Sequence, residues 1–174
     1  DLQAFDLPLA LQIERLQIDD AVIATAGDAP LSIEHVALGA AIDRAAMTLR
    51  DLQWIGAGAR LAGWLDVQTV APHALRGRLD MNLEPALTGE TLGAVEAGAT
   101  LRGGLLRPGF ALRIRAPAAV HLQGTLALDR LQPAFELAAE WPALDWPLRG
   151  DPQLVTRDGR LTVSGTIDDY RAAL

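Results

Sequence analysis

Two pairs of adjacent carboxylates are the groups in this sequence best suited to acid/base chemistry. They are Asp19-Asp20 and Asp168-Asp169, and pairs of carboxylates hydrolyse glycosidic bonds in other β proteins. Neighbouring side chains on a strand point to opposite faces, so a pair within a strand cannot act on one bond. Because Asp-Asp is favoured in turns, where the side chains accept backbone hydrogen bonds, we expect both pairs to lie in turns.

Other catalytic and metal-binding groups are sparse. The only serines are Ser32 and Ser164, and neither lies in the Gly-x-Ser-x-Gly turn of a serine hydrolase. The histidines His35, His73 and His121 lie far apart in the sequence, without metal-ligand spacing. The absence of cysteine excludes disulfides, thiolate ligands and a cysteine nucleophile. We therefore expect no catalytic residues, no metal site and no cofactor.

The charge balance argues against nucleic-acid binding. All 15 basic residues are arginine, against 22 acidic residues, for a net charge of -7. Phosphate neutralisation requires the opposite balance, and the lysine of a P-loop is missing. Arg107 to Arg115 is the only locally basic stretch, and its alternation with Leu112 and Ile114 indicates a solvated strand face rather than an anion site.

Apolar residues recur at alternate positions along most of the chain, which places them on one face of successive strands. The strands are short, recur about every ten residues and are separated by Gly, Pro and Asp, which predicts an all-β fold. We expect an elongated, curled and mostly antiparallel sheet. The residues that we assign to its apolar face are Leu11, Ile13, Ile33, Leu49, Trp54, Leu61, Leu65, Leu79, Met81, Leu112, Ile114, Leu122, Leu126, Leu128, Leu137 and Val163.

Several local assignments remain between alternatives. Leu31 with Ile33, and then Val36 with Leu38, are expected to form a strand pair after a turn at residues 26–30. The stretches 40–46 and 88–97 could each be helix, strand or loop, so helix is a minor component. The tryptophans Trp54, Trp64, Trp141 and Trp146 suit either core packing or the rim of a groove.

A second regularity is the motif apolar-x-Gly-x-apolar, which occurs five times. In each copy the glycine would face the same side as its flanking apolar residues. Glycine in a strand often marks a β-bulge or a bend, and bends that stack at one level would curl the sheet into a trough. The five glycines are Gly63, Gly77, Gly103, Gly124 and Gly165.

We interpret residues 1–174 as a single β segment of a longer repetitive protein, because the length suits one core and the strand units repeat. The ends, Asp1 and Leu174, suggest a piece of a longer chain. Such a piece would expose unpaired strand edges, so we expect edge-to-edge self-association.

Several stretches resemble a recurring block of the TamB family. They are the strand pair at 7–20, the strand at 128–141, the Trp-Pro element at 141–148, and the segment 159–170 with its Gly-Thr-Ile-Asp-Asp-Tyr tail, which is the most distinctive part. The likeness spans most of the chain and suggests the N-terminal to middle part of the parent, without its membrane anchor and C-terminal domain.

The resemblance implies the periplasmic part of a Gram-negative envelope protein that is anchored in the inner membrane. It implies a folded-over sheet, a β-taco-like groove, whose lining would be the apolar-face residues named above. The family is associated with phospholipid transport to the outer membrane and, through the barrel partner TamA, with assembly of outer-membrane proteins. An acyl chain gains about 0.8 kcal/mol per buried methylene, so an apolar groove would suffice as a lipid path.

Two other functions remain open. One is a structural scaffold that adds nascent outer-membrane strands to its edges without conducting lipid. The other is an enzyme on a β-helix, such as a polysaccharide lyase, which would need clustered carboxylates, Lys or Arg, and often calcium.

Overall fold

The computed structural model describes residues 10–24, 30–129, 132–148, 151–166 and 168–174. In these ranges the chain forms one open antiparallel sheet of eleven strands and one short helix. The elements are β1 (Leu11–Ile23), β2 (Leu31–Ile42), β3 (Ala46–Gly56), β4 (Ala59–Gln68), β5 (Ala74–Leu83), α1 (Pro85–Leu92), β6 (Val95–Gly104), β7 (Arg107–Ala116), β8 (Val120–Ala127), β9 (Ala134–Trp146), β10 (Leu154–Thr166) and β11 (Tyr170–Ala173).

The strands lie side by side in sequence order, so each inner strand pairs with its predecessor and its successor. All pairings are antiparallel, as expected from the short connections. The sheet is elongated and curled and does not close into a barrel, which confirms the predicted fold class. The antiparallel order differs from the parallel β-helix that the polysaccharide-lyase alternative requires.

The two stretches that could have been helical differ. Residues 40–42 end β2 and Ala46 begins β3, so the first stretch is the end of a hairpin. The second contributes Thr88 to Leu92 to α1, which begins with Pro85, a residue suited to the first helical turn. Gly93 follows the helix with a φ of 73°, and its backbone N–H donates to Gly89.

One face of the sheet carries apolar side chains and the other carries mainly charged and polar ones; we call them the apolar face and the polar face. In β4, Leu61, Leu65 and Val67 lie on the apolar face and are buried or half-buried, while Trp64 and Asp66 between them are exposed. Directly opposite residues of an antiparallel pair share a face, so the strand registers extend this assignment to the other strands.

The apolar face stays continuous although the apolar spacing changes phase within β3. Met47 and Leu49 pair with Val67 and Leu65 of β4, and after the phase change Leu52 and Trp54 pair with Gly63 and Leu61. All four partners are alternate residues of one strand, so they share one face.

An aspartate with a left-handed backbone lies at this change of phase and at two similar ones. Asp20, Asp51 and Asp158 have φ angles of 53°, 52° and 52°. Asp51 lies at a register shift between β3 and β4. Aspartate is one of the few L-residues that tolerate this conformation, and each aspartate lets the strand turn its next apolar residue back to the same face.

These irregularities correct two sequence-based expectations. Asp19 and Asp20 lie inside β1 and not in a turn. The residues from Leu31 to Leu38 belong to the single strand β2 and not to a strand pair, because a bulge near Glu34 changes the phase of the apolar pattern. Asp168 and Asp169 do lie in the turn between β10 and β11, where the backbone N–H of Thr166 donates to the Asp169 carbonyl at 2.7 Å.

The five motif glycines all lie within strands. The register runs through Gly77, Gly103, Gly124 and Gly165 without a shift, whereas Gly63 borders the register shift between β3 and β4. They occupy three neighbouring rows of the apolar face and do not stack at one level. Gly124 instead lies between the side chains of Phe110 and Leu137, and a Cβ there would meet Leu137 at 2.6 Å and Phe110 at 3.0 Å. It provides room for large neighbours; the strand bend at these glycines stays a prediction.

Candidate functional site: the apolar face

A single row of apolar residues crosses all eleven strands. Consecutive members are directly opposite each other in neighbouring strands, so their side chains share the apolar face. The row is Ile13, Ala40, Leu49, Leu65, Gly77, Leu101, Phe110, Gly124, Leu137, Val163 and Ala172. At about 4.8 Å per strand it spans roughly 48 Å without a polar side chain.

Two parallel rows widen this surface. The first runs over β1 to β8 through Ile18, Val36, Trp54, Leu61, Met81, Ala97, Ile114 and Val120. The second runs over β3 to β10 through Leu52, Gly63, Leu79, Ala99, Leu112, Leu122, Ala139 and Leu161. The apolar face is therefore a broad band, several side chains wide.

Within the described residues no second layer covers the band. Among the described hydrophobic residues only Ile33, Ala37, Val67 and Ala97 are buried, and no large side chain is fully buried. Most side chains of the band are half-buried against their neighbours in the curled sheet. An exposed apolar surface of this extent usually binds a ligand, a membrane or another protein.

The predicted apolar-face residues occupy the band with one exception. Leu11, Ile33 and Leu126 extend its outer rows beside Ile42, Gly56 and Phe135. Leu128 follows the end of β8 and is exposed, and its backbone N–H donates to the Leu106 carbonyl in the turn before β7 at 2.8 Å. The sequence interpretation omitted Leu101 and Ala97, although Leu101 has the same parity as the predicted Gly103.

Trp141 is a fixed part of the band. Its indole lies over Gly159, where a Cβ would collide with the ring. The indole N–H donates to the Thr156 hydroxyl at 2.8 Å, and that hydroxyl donates to the Leu144 carbonyl at 3.2 Å. Trp54 is also half-buried on this face, whereas Trp64 lies on the polar face and is 44% exposed.

The groups considered for acid/base chemistry are not brought together. Asp19 and Asp20 lie on β1 and Asp168 and Asp169 follow β10, at opposite ends of the strand order. Asp19 hydrogen-bonds His35, and this bond holds the pKa of the Asp19 carboxyl below its ordinary value. In the described ranges no group of three or more His, Asp or Glu side chains is arranged to hold a metal ion.

A cavity of about 680 Å³ lies at the ends of β7 to β10 and is lined by residues of both faces. Its polar-face residues include Arg113, His121, Glu140 and Arg160, and its apolar-face residues include Ile114, Val120 and Trp141. The four polar-face residues are cross-strand neighbours in one row. Within this row Arg160 pairs with Glu140 at 3.5 Å.

No helix in the described part of the chain is long and apolar enough to span a bilayer.

An open antiparallel sheet in sequence order, whose apolar face is not covered by any described part of the chain, defines the class of elongated β-groove proteins. The sequence model of the family described as TamB, N-terminal domain, matches residues 1–174. The chain therefore belongs to the TamB family, a family of envelope proteins. Searches of curated proteins and of solved structures found no match.

Proposed function

We propose that the apolar face is a groove through which acyl chains of phospholipid pass between the inner and outer membranes. The supporting observation is the row of eleven apolar residues that crosses every strand without a polar interruption. Each methylene that moves from water onto this surface gains about 0.8 kcal/mol. Because every strand offers a similar apolar surface, a chain can shift along the row without a large free-energy step.

In this proposal the chain is the periplasmic part of an inner-membrane-anchored protein and acts without a catalytic residue. Transfer needs only a continuous apolar surface, so the functional residues are the lining side chains and not a reactive cluster. The groove supports outer-membrane protein assembly together with a TamA-like barrel partner by supplying lipid to the membrane into which barrels insert.

Site-specific photocrosslinking tests the groove. A photoreactive amino acid at Leu137 or Leu161, on the apolar face, is expected to label phospholipid at least about tenfold more than one at the neighbouring Glu136 or Thr162 on the polar face, given the apolar transfer energy. The readout is mass spectrometry of lipid adducts on protein made in a Gram-negative host. Equal labelling of both faces would contradict the proposal.

Lipid copurification gives a second readout. Leu112→Asp with Leu122→Asp places two charges in the band, and Ala111→Asp with Gln123→Asp places the same two charges on the polar face of the same strands. Native mass spectrometry should find phospholipid on the parent and on the polar-face variant but not on the apolar-face variant. Circular dichroism must show that both variants remain folded.

The scaffold alternative has its own observation. β1 has no partner on its outer side in the described chain, and β11 pairs with only Thr162 to Gly165 of β10. The rest of β10 is therefore open to strand addition. Binding of an outer-membrane strand peptide that survives the double change at Leu112 and Leu122, in a protein that never carries lipid, would favour this function.

A further inference from the structure

Arginines are concentrated on the polar face of three central strands. β5, β6 and β7 carry Arg76, Arg78, Arg102, Arg107, Arg113 and Arg115 but only two carboxylates, Asp80 and Glu96. The whole chain, by contrast, has a net charge of -7. We call the six arginines the arginine patch.

Half of the patch is not neutralised by ion pairs. Arg78, Arg107 and Arg115 pair with Asp80, Asp129 and Glu96 at 2.8, 2.7 and 3.6 Å. For Arg76, Arg102 and Arg113 no carboxylate of the described residues lies within ion-pair distance.

The register places two of these arginines against each other. Arg76 of β5 is directly opposite Arg102 of β6, and like charges directly opposite each other destabilise a sheet. On its other side Arg76 is opposite Asp66, whose carboxylate accepts a hydrogen bond from the Thr48 hydroxyl at 2.8 Å. An anionic ligand over the patch would relieve the repulsion between Arg76 and Arg102.

The shape of the patch favours an extended anionic surface over a single small anion. Arg76 and Arg113 are separated by two strand spacings and by two side-chain repeats along the strands, roughly 10 Å by 14 Å. A cavity of about 240 Å³ beside Arg113 is lined on the polar face by Arg78, Asp80 and Arg115. One phosphate cannot contact all the free guanidinium groups at once.

An exposed tryptophan borders the patch. Trp64 of β4 is directly opposite Arg78 and is 44% exposed on a face that otherwise carries mainly charged and polar residues. Tryptophan beside arginine is a combination enriched where proteins meet the headgroup region of membranes. We propose that the arginine patch and Trp64 form a docking surface for an anionic phospholipid bilayer.

This surface is separate from the groove and goes beyond the proposed function, because it uses the opposite face of the sheet. It would hold the polar face against a membrane while the apolar face stays open. The acidic remainder of the chain opposes docking only weakly at physiological salt, where charges are screened beyond about 8 Å.

Vesicle flotation tests the docking surface with the 174-residue chain. The parent should bind phosphatidylcholine vesicles that contain phosphatidylglycerol and not vesicles of phosphatidylcholine alone. Combining Arg76→Gln, Arg102→Gln and Arg113→Gln should weaken binding on the order of 100-fold, at about fivefold per arginine near a charged membrane. Binding should also fall steeply as the Debye length shrinks from about 30 Å to about 3 Å with added salt.

A matched variant controls for net charge. Arg15→Gln, Arg157→Gln and Arg171→Gln remove the same three charges from β1, β10 and β11, outside the patch, and binding should change by less than about threefold, as expected for arginines away from the membrane. Equal loss in both triple variants would overturn the proposal. Tighter binding to soluble polyphosphate or to an acidic peptide than to anionic vesicles would also overturn it.

A groove variant separates this test from that of the proposed function. Leu112→Asp with Leu122→Asp should leave vesicle docking unchanged while it abolishes lipid copurification. Loss of docking in this folded variant would mean that the apolar face, and not the arginine patch, contacts the vesicle.

Discussion

Asp51 shows how one residue keeps the apolar face continuous. The residue lies inside β3 with a left-handed backbone, and the apolar positions are odd-numbered before it and even-numbered after it. Asp20 and Asp158 have the same conformation in β1 and β10. A β-branched residue is strongly disfavoured there, because its Cβ substituents clash with the backbone at positive φ.

Substitution at Asp51 should separate backbone geometry from side-chain chemistry. Asp51→Val is expected to lower the free energy of unfolding by about 1–2 kcal/mol, the cost of forcing a left-handed conformation. Asp51→Asn should stay within about 0.5 kcal/mol of the parent, since asparagine tolerates this region. Urea denaturation followed by circular dichroism measures both.

Gln53→Val is the control for Asp51→Val, because Gln53 is exposed on the same strand with an ordinary backbone. Gln53→Val should lower the free energy of unfolding only slightly. If Asp51→Val lowered the free energy of unfolding as little as this control, the left-handed conformation would not be what keeps the apolar residues of β3 on one face.

At the scale of elements, the hairpin between β2 and β3 depends on a capping aspartate. The Asp43 carboxylate accepts hydrogen bonds from the backbone N–H groups of Ala45 and Ala46 at 2.6 and 2.8 Å. These two bonds, first that of Ala45, lower the pKa of Asp43 below its ordinary value of 3.8. The turn is therefore more stable with the carboxylate ionised.

Asp43→Ala should destabilise the protein at neutral pH, and its effect should depend on pH. Because the folded-state pKa is depressed, the stabilisation by Asp43 is fully present above pH 3.8 and is lost as the pH falls through the folded value. The stability difference between parent and variant should therefore shrink in acid. Denaturation series at neutral and acidic pH measure it.

Asp151→Ala is the matched control for this change, since Asp151 is exposed and accepts no hydrogen bond from the described residues. A stability difference for Asp43→Ala that stays constant from neutral to acidic pH would contradict the role assigned to its charge.

The strands were the most predictable elements, because each one shows apolar residues at alternate positions of the sequence. The phase changes were not predictable: the shift from Ile33 to Val36 resembled a turn between two strands, and the bulge that causes it needs a partner strand to be recognised. Asp19 and Asp20 were assigned to a turn for the same reason, since turn-favouring residues also suit left-handed positions in a strand.

At the scale of the whole molecule, the apolar face was predictable and its openness was not. Fifteen of the sixteen residues assigned to that face lie on it, because apolar residues at alternate positions of a strand share one face, and Leu128 lies just beyond the end of β8. Alternation cannot show whether a second layer covers a face. The arginine patch also required the register, because Arg76 and Arg102 are far apart in sequence.

The open ends of the sheet should make the isolated chain self-associate. β1 presents a 13-residue edge, with Val22 66% exposed. A charged side chain on an edge opposes pairing with another chain. Val22→Lys should therefore weaken self-association at least about tenfold, because the added charge hinders a second chain from pairing with β1. Sedimentation velocity over a concentration series measures the change.

Thr100→Lys adds the same charge in the middle of the sheet, on β6, where both neighbours are already paired. It should leave association unchanged. Equal effects of the two lysines would point to a general charge effect rather than to edge pairing.

Because the strands lie strictly in sequence order, the number of hairpins sets the length of the sheet. Each strand touches only its neighbours along the chain, so a hairpin can be added or removed without rethreading any other element. Each hairpin lengthens the sheet by about 10 Å, twice the spacing of adjacent strands. Proteins built in this way can be matched to a gap of given width by changing how many copies of one simple unit are laid end to end.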